Sequence, residues 1–253
     1  MQISATIISF NEEKNIERCL ISLQGVVDEI IVVDSLSTDK TKDICLRYDN
    51  IKFYSKDWLG YSSQKNYANS LATYNTILSI DADEALSYEL KQSILEIKGK
   101  YESISNPNII FSLKRLTNYC GSWIRHCGWY PDIKHRIFSK EVNWVGDIHE
   151  SLLYLPNTKI IMLKGDLFHY SYHTTSDHVL QVEKFTSLTS KEAFEKGKKS
   201  SLFGLWFKPK WKFFRDYILK AGILDGYAGY QVCKISAFAT YLKNAKLKEL
   251  NKN

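Results

Sequence analysis

Apolar positions in the first hundred residues come in short unbroken runs: "ATIISF" (5–10), "EIIVVD" (29–34), "IKFYSK" (51–56) and "NTILSIDAD" (75–83). Unbroken apolar strands are those buried on both faces, as in a parallel sheet covered by helices. The segments between them change period. After Asn11, placed to cap a helix with Glu12 and Glu13 in its first turn, Ile16, Leu20 and Leu23 recur on one face. "STDKTKDICLRY" (37–48) opens with capping residues and carries Ile44, Cys45 and Tyr48 as a helix would, and "SSQKNYANSLATY" (62–74) predicts a third helix. Strands alternating with helices define an α/β class with a mainly parallel sheet flanked by helices. In such sheets ligands bind beyond the carboxyl ends of the strands, where Asp34 and Asp83 fall.

The rhythm changes after residue 100. "NIIFSLKRLTNY" and "IKHRIFSK" predict strands, joined by a loop rich in Gly, Trp, His and Tyr. From about 177 the pattern is helical, with aromatics and lysines interleaved to the end. The expected domains are an α/β domain over 1–176 and a basic, aromatic-rich helical extension over 177–253, packed on the core and facing a membrane.

Charge sharpens that division. Residues 184–253 hold 15 Lys and Arg against 5 Asp and Glu, whereas residues 1–183 hold 19 against 23. Lys208, Lys210, Lys212 and Arg215 interleave with Trp206, Phe207, Trp211, Phe213 and Phe214, the composition of an interfacial helix. Nucleic acid also attracts basic patches, but no DNA or RNA motif accompanies this one, and no nucleic-acid partner is expected. No run of about 20 apolar residues predicts a membrane span. The N-terminal residues lack the basic segment and long apolar run of a signal peptide. The five cysteines, Cys19, Cys45, Cys120, Cys127 and Cys233, form no CxxC pair and read as free thiols of a reducing cytoplasm.

"LSIDADEAL" (78–86) carries the chemistry. Asp81, Asp83 and Glu84 crowd the end of the fourth strand, and like charges so close call for a cation. In an extended segment Asp81 and Asp83 project to one side. A hard divalent ion, Mg²⁺ or Mn²⁺, that also takes phosphate oxygens suits the pair. The same trio would also serve as the N-terminal cluster of a helix in "SYELKQSILEI". Lys65 is a cation placed between two acidic strand ends.

These stretches resemble family 2 inverting glycosyltransferases of the GT-A fold, through "TIISFNEEKNIERCL", "EIIVVDSLSTDKT", "GYSSQKNYA" and "LSIDADE". A closer resemblance, to the subgroup known for a lipopolysaccharide-core β-1,4-glucosyltransferase, rests on "GWYPDIKHRIFSK", "VGDIHESL", "FHYSYHT", "KEAFEKGKK" and "ILDGYAGYQVCKISAFATYLK". It implies a UDP-sugar donor and a divalent metal. Ser9, Phe10 and Asn11 would line the nucleotide pocket, with Asp34 near the base or ribose and Lys65 near the nucleotide. Asp83 would bind the metal, and Asp81 the ribose or metal. The sequence departs from the family at Ser35, where relatives carry a second acid, and at Leu36, where glycine is usual.

Inversion requires one displacement at the anomeric carbon, with a carboxylate to take the acceptor's proton. Glu150 in "GDIHES" is the expected base, Asp147 the reserve and Asp132 the next candidate. His149 would hold the loop or contact phosphate, and His169 would complete the metal shell or be structural. Trp129, Tyr130 and Arg136 would contact substrate, by stacking on sugars and binding phosphate or carboxylate. The expected activity is transfer of a sugar, glucose by resemblance, to a lipopolysaccharide-core or other lipid-linked saccharide, by an enzyme peripheral to the inner face of the cytoplasmic membrane. The competing readings are a nucleotidyltransferase making a nucleotide sugar and a non-catalytic sugar-binding protein of the same fold.

Overall fold

The four predicted strands form one parallel half-sheet. In this computed structural model, which describes residues 1–101, 108–146 and 150–252, β1 (Ile3–Ser9), β2 (Glu29–Asp34), β3 (Ile51–Ser55) and β4 (Thr76–Asp81) pair in the order β3-β2-β1-β4. Their side chains alternate between two cores. Ile30 and Val32 of β2 join Ile3, Ala5 and Ile7 under α1 (Ile16–Leu23). Ile31 and Val33 pack instead with Ala68 and Ala72 from α3 (Tyr61–Ser70) and the turn after it. Both faces are covered, so the unbroken apolar runs have a direct physical cause.

Register fixes the working edge. Ser9 pairs with Asp34, and Ile8 with Asp81, so these residues leave the sheet at one end. Two helix expectations are corrected there. Asn11 does not cap α1; it adopts a left-handed backbone (φ 54°), and the helix begins five residues later, after a turn in which the Glu12 carbonyl accepts from the amides of Asn15 and Ile16. Helix α2 (Thr41–Cys45) is a five-residue stub; Ser37 and Thr38 are used in loop contacts, whereas Asp39 Oδ1 accepts from the Thr41 amide.

The sheet's other half mixes directions. It uses β5 (Glu84–Leu86), β6 (Ile109–Tyr119), β8 (Asp132–Ser139) and β11 (Lys159–Tyr172), extending the order to β3-β2-β1-β4-β8-β6-β11-β5. β8 runs antiparallel to β4 and β6, and β5 antiparallel to β11. The α/β class stands, but the sheet is mixed rather than mainly parallel beyond β4. A short β7 (Ser122–Ile124) pairs with β6, and β9 (Asn143–Val145) with β10 (Ser151–Leu153). Between β5 and β6 lies α4 (Tyr88–Lys100), capped by the Ser87 hydroxyl, which accepts from the Leu90 amide.

The chain divides into two units: Met1–Arg115 with Asp132–His169, and Leu116–Pro131 with Tyr170–Asn253. The expected boundary at 176/177 thus moves to 169/170, and the Trp- and His-rich loop joins the second unit. That unit holds α5 (Thr175–Glu195), α6 (Leu202–Phe214) and α7 (Gly226–Leu250), with α5 and α6 both packed on α7. Its core is Tyr119, Ile124, Cys127, Val232 and Cys233. All five cysteines are free thiols.

Candidate active site

The site is built where β4 ends. Asp81 is the last residue of β4, but Ala82 and Asp83 form a turn and Glu84 begins β5. The turn is closed by the Asp81 amide, which donates to Glu84 Oε2 at 3.0 Å. The segment is therefore not extended, and the two aspartates diverge instead of facing one way.

Asp81 turns to two cations. Its Oδ1 lies 3.0 Å from Lys65 Nζ and its Oδ2 2.6 Å from Arg136 Nη2. Burial works against its charge, but the two cations more than offset burial and hold the carboxyl well below the usual range. Both oxygens are engaged by cations, so Asp81 as placed is already charge-compensated without a metal. Arg136, expected on the substrate, is buried; its Nη2 is shared with Glu84 Oε1 at 2.6 Å. Glu84 also meets Arg115 Nη1 at 3.4 Å, and Arg115 Nη2 reaches Asp132 at 2.7 Å. Asp132, the third candidate base, is thereby neutralised. Glu84 and Arg115 were not singled out as site residues, because their partners are 52 and 31 residues away in the chain.

Lys65 connects this network to Glu150, with Nζ 3.0 Å from Oε1. The Lys65 side chain is 4% exposed and its ammonium lies 4.7 Å from the centre of the Trp144 ring. It is a structural bridge between two carboxylates rather than a cation open to solvent. Glu150, Asp81 and Arg136 line a cavity of about 470 Å³ with Lys134, His135 and Tyr154. Asp147 and His149 lie outside the described residues.

Asp83 pairs with His169, Oδ2 to Nε2 at 3.2 Å. Burial would raise the Asp83 pKa, but the facing imidazole outweighs it and the net shift is downward. Nearby Glu12 is pushed up to about 7, first by burial and then by the charges of Asp83, Asp39 and Asp81. This excess of negative charge beside an oxygen and a nitrogen donor suits a divalent cation. Asp83 and His169 could hold Mg²⁺ or Mn²⁺, with water and substrate oxygens completing the shell. Among the described residues no third His, Cys, Asp or Glu completes a preformed cage.

The loops after β1 and β2 lace together. Asp34 accepts from the Ser9 hydroxyl at 2.9 Å, the Ser37 amide at 2.7 Å and the Ser37 hydroxyl at 2.5 Å. Asn11 Oδ1 accepts from the Thr38 amide at 2.9 Å. Phe10 is left with its ring outward, 57% exposed. Leu36 has φ 61°, in the left-handed region that favours glycine, the residue that the resemblance leads one to expect there. Trp129 and Tyr130 belong to the second unit. There Trp129 packs among Tyr119, Tyr172 and His178, and the Arg125 guanidinium lies 5.8 Å from the Tyr130 ring.

Residues 4–142 match the family described as Glycosyl transferase family 2, and the chain belongs to that family. It is similar to an uncharacterized glycosyltransferase of Rickettsia typhi, 32% identical, covering 99% of this chain and 88% of the relative. It is 26% identical to the lipopolysaccharide core biosynthesis glycosyltransferase LpsC of Rhizobium meliloti, covering 98% of this chain and 92% of that one. Among solved structures, Staphylococcus aureus TarS (residues 1–349, in complex with UDP-GlcNAc) aligns over 100% of this chain and 92% of its own, at 16% identity and a TM-score of 0.49.

Proposed function

We propose that the protein is an inverting, metal-dependent glycosyltransferase that moves a sugar, glucose in our reading, from a UDP-sugar to a lipopolysaccharide-core or other lipid-linked saccharide at the inner face of the cytoplasmic membrane. The relationship to LpsC supports the acceptor class. The observation that carries the reading is the junction of Glu150, Lys65 and Asp81 at the rim of the cavity, with Asp83 and His169 beside it.

Each residue then has a task. Ser9, Asn11 and Asp34 shape the nucleotide loop, and Phe10 offers its exposed ring to the base. Asp83 and His169 would hold the divalent ion, which when bound supplies a Lewis acid for the charge on the leaving diphosphate. Arg136 and Lys65 keep Asp81 ionised beside the donor. The acceptor hydroxyl enters the cavity, and Glu150 takes its proton at Oε2 while Oε1 stays on Lys65. Tyr154 and His135, whose ring nitrogens meet Tyr154 Oη and Ser112 Oγ, line the acceptor's side. Trp129, Tyr130 and His149 are further substrate contacts in this reading, and Asp147 the reserve base.

The test is sugar transfer from UDP-glucose to purified lipopolysaccharide core, with donor affinity measured separately. Glu150→Gln should keep donor affinity while turnover falls by about 10²–10⁴-fold, the usual worth of a positioned base. Near-parental turnover in Glu150→Gln with a dead Asp147→Asn would make Asp147 the base. Full activity in both would remove the base from this loop.

A further inference from the structure

Helix α6 presents its apolar stripe to solvent. In "LFGLWFKPKWKFF", Phe203, Trp206, Phe207, Lys210 and Phe214 follow helical spacing and share one face. On an ordinary surface helix that stripe faces the core. Here Gly204 is the one buried residue of α6, whereas Phe203 is 65% and Trp206 70% exposed. The patch continues past the helix: Ile218, Leu219 and Ile223 are exposed, Leu224 is 70% and Tyr227 74% exposed. Exposed apolar side chains in this number over one short stretch of chain mark an interaction surface.

Charge selects the partner. No acid occurs from Leu202 to Arg215, while Lys208, Lys210, Lys212 and Arg215 do. The next acid, Asp216, is buried and neutralised by Lys212 at 2.6 Å and Arg215 at 2.8 Å. The cations left on the outside are Lys208, Lys210 and Lys220. Tryptophan and phenylalanine interleaved with unopposed lysine match an anionic lipid surface, where rings enter the headgroup region and ammonium groups meet phosphate. At 13 residues α6 is about 20 Å long, suited to lying in the plane of the interface. Among the described residues no helix is long and apolar enough to cross a membrane.

We infer that α6 and the turns up to Tyr227 form a membrane-docking surface for an anionic phospholipid leaflet. The inference deepens the lipid-linked acceptor reading and rests on it for its purpose, but its test is separate. The full chain is mixed with vesicles of phosphatidylcholine alone or with phosphatidylglycerol. It should sediment with the anionic vesicles at low salt and much less at high salt. Tryptophan fluorescence should be quenched by lipids brominated in the acyl chains. Trp206→Ser with Phe207→Ser should lower partitioning by roughly tenfold or more, and Leu224→Ser with Tyr227→Ser similarly. Lys208→Glu with Lys210→Glu should remove the preference for anionic lipid, at roughly fivefold per lysine. All six side chains are exposed, so unchanged melting curves are expected, as is unchanged transfer to a deacylated, water-soluble acceptor. Indifference of the parent to anionic vesicles at low salt overturns the inference, as does equal binding by both aromatic double variants. So does a concentration-dependent dimer dissolved by those substitutions, which would make the face a contact between copies. A parent that binds vesicles yet transfers sugar to no acceptor defeats the functional reading and leaves the surface standing.

Discussion

Lys65 Nζ lies 3.0 Å from Glu150 Oε1, joining residues 85 apart in the chain. The same ammonium holds Asp81 at 3.0 Å. One buried cation therefore contacts two carboxylates to which different tasks are assigned. Lys65→Met keeps the aliphatic stem against Trp144 but removes that charge. Asp81 retains Arg136, and Glu150 loses its ion-pair partner. Asp81 and Glu150 are about a quarter exposed, so the cost should fall below that of a fully buried broken pair, at about 1–3 kcal/mol by urea unfolding. Transfer should fall together with stability. A variant as stable and active as the parent would make the bridge incidental.

Glu29 gives the sheet a pH dependence. Burial would raise its pKa, but hydrogen bonds from Lys52 at 2.5 Å, Ser4 at 2.5 Å and Thr73 at 2.6 Å outweigh it and bring it from 4.5 to about 2. A carboxyl held lower in the folded state stabilises above its unfolded pKa, and the contribution is lost as pH falls from about 4.5 towards 2. It amounts to at most about 3 kcal/mol. Glu29→Gln should therefore be clearly less stable than the parent at neutral pH, and the gap in urea midpoints should narrow steadily below about pH 4.5. A gap independent of pH would assign the loss to packing.

The parallel half of the fold was legible because both faces of each strand are buried, which writes unbroken apolar runs into the sequence. "EIIVVD" coincides with β2 from Glu29 to Asp34. The mixed half was less so. β11 runs from Lys159 to Tyr172 with most residues at least partly exposed, so no unbroken apolar run marks it. At the site, the acidic cluster was visible, but its geometry was not. Whether Asp81-Ala82-Asp83 is extended depends on the Glu84 carboxylate closing a turn. Which residues neutralise Asp81 depends on Arg136, brought in by β8 from 55 residues away. Local patterns do not encode such long-range pairings.

Gly165 tests how β11 is seated. It has φ 87°, and a Cβ there would lie 2.3 Å from the Leu90 amide nitrogen and 2.8 Å from the Glu89 carbonyl carbon, both backbone at the start of α4. The adjoining contacts are tight: the Asp166 amide donates to the Ser87 hydroxyl at 3.0 Å, and the Ser87 amide to the Asp166 carbonyl at 3.0 Å. Backbone cannot move aside as a flexible side chain can. Gly165→Ala should cost about 2–4 kcal/mol, combining left-handed strain with overpacking, measured as a lowered thermal midpoint. Because β11 ends in this unit at His169, a milder loss should still disturb the Asp83 pair. A variant melting within a degree or two of the parent would show that α4 can shift.

The last prediction concerns Asp83 and His169. Their Oδ2–Nε2 contact at 3.2 Å brings together an oxygen and a nitrogen donor that a divalent ion could bridge. The lowered Asp83 pKa means the carboxylate is already ionised at neutral pH, as a ligand must be. Adding Mn²⁺ with UDP to the parent should raise its melting temperature, since a ligand bound only by the folded state stabilises by mass action; at a hundredfold excess over Kd that is about 2.7 kcal/mol. Asp83→Ala should stay folded, because the carboxylate lies at the open end of the β4–β5 turn, but the Mn²⁺-dependent part of the rise should vanish. His169→Ala should weaken it as well, by removing the nitrogen donor. Asp81 is the informative contrast: both its oxygens are held by Lys65 and Arg136, so Asp81→Asn should leave a larger share of the Mn²⁺ effect than Asp83→Ala. Calorimetric titration of UDP with and without Mn²⁺ checks the same ranking directly. If Asp83→Ala keeps the parent's metal dependence while Asp81→Asn loses it, the ion sits on Asp81, and the contacts to Lys65 and Arg136 must open when donor binds.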